Sequence, residues 1–253
     1  MVGRPVGASR VIRAFVELIP GPGGEVRLTS AEMAHVKGAR RARGRVEIEL
    51  LDGRGGVACA ELDASTGNAT VVARCRRDAP PSVLLAVAIA RGSRFDFLVE
   101  KCTELAVTEL APIRFERSQA GRGEGRDERW GRVARSAAKQ SGSPYLPEIH
   151  PVRTLDGFLE LWGERALSAP GLLLALDPDG QTRPISDVVR GRGAGAQGTV
   201  GLLIGPEGGL TDRERNRVDE LGAQRVALDT PILRVETAAI VGISLVLHGL
   251  GRA

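Results

Sequence analysis

The chain has 253 residues, of which 42% are apolar but only 3% aromatic, and it carries a net charge of +4. That length suits one large or two small domains with cores of Val, Leu, Ile and Ala, and no apolar run approaches the roughly 20 residues needed to span a bilayer. Three scattered cysteines, Cys59, Cys75 and Cys102, offer neither a disulfide framework nor a zinc spacing, and the N-terminus lacks the apolar segment of a secretory signal, so a cytoplasmic protein without a metal is expected.

The charge is unevenly placed. Residues 1–78 hold 13 Lys/Arg against 9 Asp/Glu, whereas residues 79–253 hold 22 of each. Lys37, Arg40, Arg41, Arg43 and Arg45 crowd together with no acid among them. Such a run points to a polyanionic partner or to a solvated basic loop.

Residues 10–78 read as β-rich. Short strand-like runs at 10–16, 45–51, 57–62 and 69–75 are separated by Gly, Asp and Ser/Thr clusters. Residues 45–50 alternate with period two, as a half-buried strand does, and a small barrel is the natural closure. Residues 30–36 allow at most two helical turns. The segment Asp78-Ala79-Pro80-Pro81-Ser82 reads as a linker, because adjacent prolines exclude both helix and central strand. Two domains are therefore expected, 1–78 and 79–253.

From Val83 onward strand and helix alternate. Residues 83–89 form a continuous apolar run, a strand buried on both faces. Ser93, with Asp96 three residues on, predicts a capped helix whose stripe is Phe95, Leu98, Cys102 and Leu105. A strand at 110–115, a polar loop at 118–126 and a helix at 127–140 follow. Further on come a short helix at 155–162, a strand at 171–176 and a helical turn at 185–190. The pattern G-x-G-x-x-G at 193–198 precedes a strand rather than following one, which rules out a dinucleotide fingerprint.

Residues 200–204 are a buried strand that stops at Gly205-Pro206-Glu207-Gly208-Gly209, where the backbone must turn. Thr211 and Glu214 have the spacing of a capping box, so a helix starts at about Asp212 and ends at Gly222. A strand at 225–229, a loop at 230–235 and an apolar helix at 236–250 complete the chain. Five strands, each followed by a helical segment, give an α/β domain with a mainly parallel sheet. Both C-terminal loops leave the carboxyl ends of strands, where α/β proteins place ligands.

IGPEGGLTDRE followed by ILRVETA resembles the C-terminal signature of the 16S ribosomal RNA uridine-N3 methyltransferases, a family of the SPOUT class that uses S-adenosylmethionine. The likeness extends along the chain. Arg13-Ala14-Phe15 stands where the family begins with Arg-x-Phe, and His35, Arg40 and Gly44 keep its spacing. Arg91-Gly92-Ser93-Arg94 with Glu100 to Leu105, and Gln140-Ser141-Gly142 with Pro147-Glu148, follow its middle motifs. Departures are Gly38-Ala39, Arg91, Ala106, Ser143 and Asp229-Thr230-Pro231.

The resemblance implies a PUA-like β-barrel ahead of a SPOUT domain with a C-terminal trefoil knot, and a homodimer acting on 16S rRNA of the 30S ribosomal subunit. It implies that S-adenosyl-L-methionine lies among Leu176, Ile204, Gly205, Pro206, Glu207, Gly208, Gly209, Leu228, Ile232 and Leu233. Glycines there let backbone N–H and C=O groups approach a flat ring closely. Arg234, Glu236 and Arg94 are the candidate catalytic residues, since uridine N3 carries a proton and its anion needs offsetting. Lys101 and Glu104 are further candidates, equally readable as a helix pair. Arg13, Lys37, Arg40, Arg41 and Arg43 are the candidate RNA contacts. Competing readings are a SPOUT enzyme that acts on another base or a ribose 2′-hydroxyl, and a non-catalytic RNA-binding assembly factor.

Overall fold

Alternation at β-strand positions 45–51 places Ile48 and Leu50 in a core and leaves Arg45 and Glu47 outside. The structure, a computed structural model, describes residues 11–40, 44–118, 126–177, 182–191 and 198–251, with the backbone alone at 39, 40, 126 and 127. Two compact units divide the chain, residues 1–79 with 138–146 and residues 80–137 with 147–253. The division at Ala79–Pro80 falls within the Pro-rich segment.

The first unit contains β1 (Arg13–Phe15), β2 (Glu25–Arg27), α1 (Ser30–Arg40), β3 (Arg45–Leu51), β4 (Gly56–Asp63) and β5 (Asn68–Arg76). They form one five-stranded sheet in the order β1-β3-β4-β5-β2, with β1 parallel to β3 and the other pairs antiparallel. Ile12, Leu28, Val36, Ile48, Leu50, Leu62 and Val71 are buried together in its core. Two expectations change here. β2 is an additional strand, too short for periodicity to reveal. α1 runs for three turns, because Met33 and Val36 keep an apolar face on the core and Lys139 pairs with Glu32 at 3.2 Å.

The second unit is built from β6 (Val83–Ala88), α2 (Arg94–Glu104), β7 (Glu109–Arg114), α3 (Arg126–Ser141), β8 (Glu148–Ile149), β9 (Arg153–Thr154) and α4 (Leu155–Ser168). It continues with β10 (Leu172–Leu176), β11 (Arg183–Pro184), α5 (Ile185–Gly191), β12 (Val200–Ile204), α6 (Asp212–Glu220), β13 (Gln224–Ala227) and α7 (Val235–Gly249). The sheet order is β11-β13-β10-β12-β6-β7-β8, with β9 also on β7, and every pair is parallel. β6 and β12 are buried along their whole lengths, which explains why both read as unbroken apolar runs.

Three local expectations are corrected. The two-residue strands β8, β9 and β11 carry no periodic signal and bring the sheet from five strands to eight. Ser93 makes no side-chain cap, because its own backbone is helical (φ −74°, ψ −6°), and Asp96 pairs instead with Arg129 of α3. α4 continues past Gly163 to Ser168. A glycine inside a helix costs only about 1 kcal/mol, and Arg165 in the last turn is held by a buried acid.

That acid is Glu109, at the start of β7. Its two oxygens accept from Arg165 at 2.7 and 2.9 Å, and one of them also faces His150 Nε2 at 3.0 Å. The six-membered ring of Trp162 on α4 lies against two glycines, Gly171 and Gly201. A Cβ at Gly201 would lie 2.7 Å from the indole, and one at Gly171 3.0 Å from it.

Burial raises the carboxyl pKa of Glu109, but the hydrogen bonds from His150 and Arg165 outweigh it and hold the group below its ordinary value. Its stabilisation is therefore present above the unfolded carboxylate range and is lost as pH falls through the lowered native value. Glu109→Gln should cost about 2 kcal/mol at pH 7, less than a fully buried pair because Arg165 remains partly exposed. Thermal melts from pH 7 to pH 3 should show the gap between variant and parent closing in the acid range.

Candidate functional site

The carboxyl ends of β10, β12 and β13 lie side by side, since Leu176 pairs with both Ile204 and Val226. Each strand ends where its apolar run ends, and the chain then turns. After β12, Gly209 N–H donates to Pro206 O at 2.8 Å, closing a turn whose exit residue has φ +68°. Glycine adopts that angle without cost. After β13, Thr230 N–H donates to Leu228 O at 2.8 Å and makes a three-residue turn.

Between these bends is a cavity of about 270 Å³. Leu176, Ile204, Gly205, Pro206, Glu207, Gly208, Gly209, Leu228, Ile232 and Leu233 all line it, so the structure brings together all ten residues expected to hold a cofactor. Arg117, Asp177, Arg215, Thr230 and Pro231 also line it, and the sequence reading missed them. Asp177 was detectable, because it directly follows the last residue of β10 at the sheet's carboxyl edge. Arg117 and Arg215 had no local signal.

The first bend is braced from below. Thr211 and Glu214 form the expected capping box at the start of α6. Glu214 is buried, and its Oε2 accepts from Thr211 N–H at 2.9 Å and Thr211 Oγ at 3.2 Å. Its Oε1 accepts Glu116 N–H at 2.9 Å, tying in the segment after β7. From the same segment Arg117 Nη1 donates to Gly208 O at 2.9 Å and Leu210 O at 3.4 Å. The bend is thus fixed before any ligand arrives.

Charge at the cavity is mixed. Asp177 is buried and faces Arg215 Nε at 3.6 Å and Arg225 Nη1 at 3.7 Å. Hydrogen bonding to Asp219, against a small cost of burial, raises the pKa of Arg225 further, so it stays a cation. α7 starts directly after the second bend. Its N-cap is Arg234, which is exposed and has no acceptor to offer the first-turn amides. Glu236 in that first turn is buried, and its Oε2 has no hydrogen-bond partner. A buried carboxylate oxygen without a donor is costly unless a proton or a hydrogen-bond donor completes it.

Arg94 is exposed at the first turn of α2, a helix that packs on α7. Lys101 bonds to Glu100 at 2.7 Å and to Glu104 at 2.9 Å, so both Lys101 and Glu104 are engaged with each other on α2. In the first unit Lys37 is exposed on α1. Arg13 is turned inward. Its Nε meets Glu49 at 2.6 Å and its Nη1 donates to Lys139 O at 3.0 Å, the last turn of α3. Arg41, Arg43 and the side chain of Arg40 lie outside the described residues, as does most of the glycine pattern at 193–198. Among the described residues Glu109, Glu148 and His150 have the spacing of metal ligands, but Glu109 is already satisfied by Arg165 and His150. No described helix is long and apolar enough to cross a membrane.

The residues present fit an adenosine-type ligand with charged ends. One glycine bend and a second, proline-containing bend expose main-chain N–H and C=O groups, Leu176, Leu228 and Leu233 supply apolar walls, and Asp177, Glu207, Arg117 and Arg215 supply charge. Known proteins agree with that description. Residues 77–247 match the RNA methyltransferase domain family. The chain is 31% identical over 222 residues to the ribosomal RNA small subunit methyltransferase E of Synechocystis sp., covering 87% of this chain and 71% of that protein. A putative methyltransferase from Legionella pneumophila, solved with its bound cofactor SAM, superposes with TM-score 0.82 at 26% identity over 95% of this chain and 98% of that one. A ribosomal RNA small subunit methyltransferase E from Neisseria gonorrhoeae, bound to S-adenosyl methionine, gives TM-score 0.81 at 27% identity over 92% and 95%. With the family matched across more than half of its length and a curated relative covered over most of its own, this chain belongs to the RNA methyltransferases, among the ribosomal RNA small subunit methyltransferase E proteins.

Proposed function

We propose that the protein methylates N3 of a specific uridine in 16S rRNA, with S-adenosyl-L-methionine as methyl donor. The observation that carries this reading is the cavity between the two bends, lined by all ten expected cofactor residues and followed directly by Arg234 and the buried, unpartnered Glu236 oxygen. Bound there, the donor supplies a methyl group activated by sulfonium. The chain's own residues do the rest. The braced bend fixes the donor, and alignment at near-attack distance can contribute about 7–11 kcal/mol. N3 gains a carbon bond and loses its proton. Glu236 Oε2 accepts that proton, and the Arg234 guanidinium offsets the negative charge left on the uracil ring. Arg94, exposed on the helix that packs against α7, completes the catalytic set.

The remaining parts of the reading follow from the same family likeness. The C-terminal loops form a trefoil knot around the donor. The first unit is a PUA-like barrel that holds RNA phosphates through Lys37, Arg40, Arg41 and Arg43, with Arg13 bracing that surface from within, while the second unit takes a splayed base. The enzyme works as a cytoplasmic homodimer. On α7, Ile240, Val241 and Leu245 are only half-buried along one stripe, which suits a second copy. Ile232, 92% exposed at the cavity rim, is another apolar side chain that the chain itself leaves uncovered.

The decisive experiment is incubation with 30S particles that lack the modification, followed by mass mapping. A methyl on a uracil base supports the proposal; a methyl on ribose, or on another base, replaces it. Calorimetry with S-adenosylmethionine separates an enzyme from a non-catalytic assembly factor, which would not bind the donor. Two variants test the assigned roles. Arg234→Ala should lower kcat about 100-fold with donor affinity nearly unchanged; full turnover at saturating RNA would remove its catalytic role. Arg117→Ala should instead raise the donor KM about tenfold, the order expected for losing charge-assisted bonds to Gly208 O and Leu210 O, with kcat largely retained and partial rescue by Arg117→Lys.

A further inference from the structure

The arginines of this protein are used in two ways, some paired with an acid and some held only by main-chain carbonyls. In the second unit Arg129, Arg165, Arg190, Arg213, Arg215, Arg217 and Arg225 all face a carboxylate. In the first unit four exposed arginines, Arg54, Arg74, Arg76 and Arg77, face none among the described residues. They converge by register. Gly56 pairs with Arg76 and Ala58 with Arg74, so the β3–β4 turn that carries Arg54 lies beside the end of β5. Two of the guanidinium groups are aimed by main-chain carbonyls: Arg76 Nη2 donates to Arg54 O at 2.7 Å, and Arg74 Nη1 to Ile19 O at 3.2 Å. Carbonyls orient a guanidinium without neutralising it, and each leaves most of the five N–H donors free.

β5 is also unusually bare at this end. Every residue from Val72 to Ala79 is exposed, although Ala73 to Arg76 are hydrogen-bonded to β4. The main chain beyond is fixed as well, since Arg77 N–H donates to Gly55 O at 2.8 Å and Arg77 O accepts from Tyr145 Oη at 2.9 Å. Arg74 and Arg76 are two residues apart on one face, about 6.8 Å along the strand. A rigid row of uncompensated guanidinium groups at that spacing suits successive phosphates of a polynucleotide strand, which guanidinium binds through two parallel N–H···O bonds.

We propose that Arg54, Arg74 and Arg76 form a second RNA-backbone contact, a phosphate-tracking strip on β5 and the β3–β4 turn, distinct from the basic run at residues 37–45. The inference rests on the reading of the chain as an RNA-modifying enzyme and adds a surface to it. The strip binds backbone and reads no sequence, so it sets the register of the RNA while the cavity selects the base.

The test uses the full chain, with all three arginines changed to Ser and, separately, to Lys. Binding to single-stranded polyuridylate and to naked 16S rRNA is measured from 50 to 300 mM salt, alongside methyl transfer to 30S particles and calorimetry of S-adenosylmethionine. The Ser variant should bind both RNAs about tenfold more weakly at physiological salt, with the slope of log affinity against log salt reduced by about 2. The Lys variant should keep most of the slope, which shows that the first unit is intact, and donor binding should be unchanged in both, which shows the same of the second. An unchanged slope in the Ser variant overturns the strip, as does loss of methyl transfer to 30S particles with binding to both RNAs unchanged, which would make this a protein-docking surface. If the parent protein transfers no methyl group to uridine yet the slope still falls in the Ser variant, the strip stands and the proposed reaction fails.

Discussion

The buried carboxylate of Glu214 is the constraint on which the site depends. It takes two donors from Thr211 and one from the backbone of Glu116, so one side chain joins the first turn of α6, the end of the glycine bend and the segment after β7. The bend itself makes only one internal main-chain bond, from Gly209 to Pro206. Five residues with three glycines lose much conformational entropy on being fixed, and without an outside brace they would fray. Arg117 supplies the second brace, and the parallel pairing of β12 between β10 and β6 supplies the floor. A ligand that meets this bend meets a preorganised surface, and little of its binding energy is spent on ordering the protein.

The electrostatic division of labour follows from where the acids are. Residues 79–253 hold equal numbers of each sign, and several surface arginines there are held in ion-pair networks, such as Arg213 and Arg217 around Asp156. Such exposed pairs contribute little stability each, but they offset part of the positive charge that these arginines carry. The first unit carries the excess positive charge, and the arginines of β5 keep theirs.

Much of this was legible in the residues. The unbroken apolar runs of β6 and β12 announced strands covered on both faces, and the Thr211–Glu214 spacing announced the capping box that the structure contains. The cavity residues were legible because glycine bends at strand ends are a local feature of the sequence. What was hidden was what depends on tertiary partners. Ser93 looks like a cap in sequence, yet its backbone is helical and Asp96 is claimed by Arg129. Strands of two residues cannot show a period, so β8, β9 and β11 were invisible. Arg13 reads as a basic surface residue, but its role is to hold Glu49 and the end of α3. Arg117 lies 91 positions from the carbonyl that it braces, and no local pattern could have linked them.

Trp162 lies so close to Gly201 that a methyl group there would force the indole to move, and one at Gly171 would press on both the indole and Thr199 O. The three positions therefore form a linked set in evolution. A lineage that shrinks the aromatic relieves the tightest contact at both glycines, whereas one that first enlarges Gly201 must shift the indole. Gly201 sits in β12, three residues before the strand gives way to the glycine bend. Drift at this indole would thus reach the cavity through the strand beneath it, and substitutions at 162, 171 and 201 should be inherited together rather than singly.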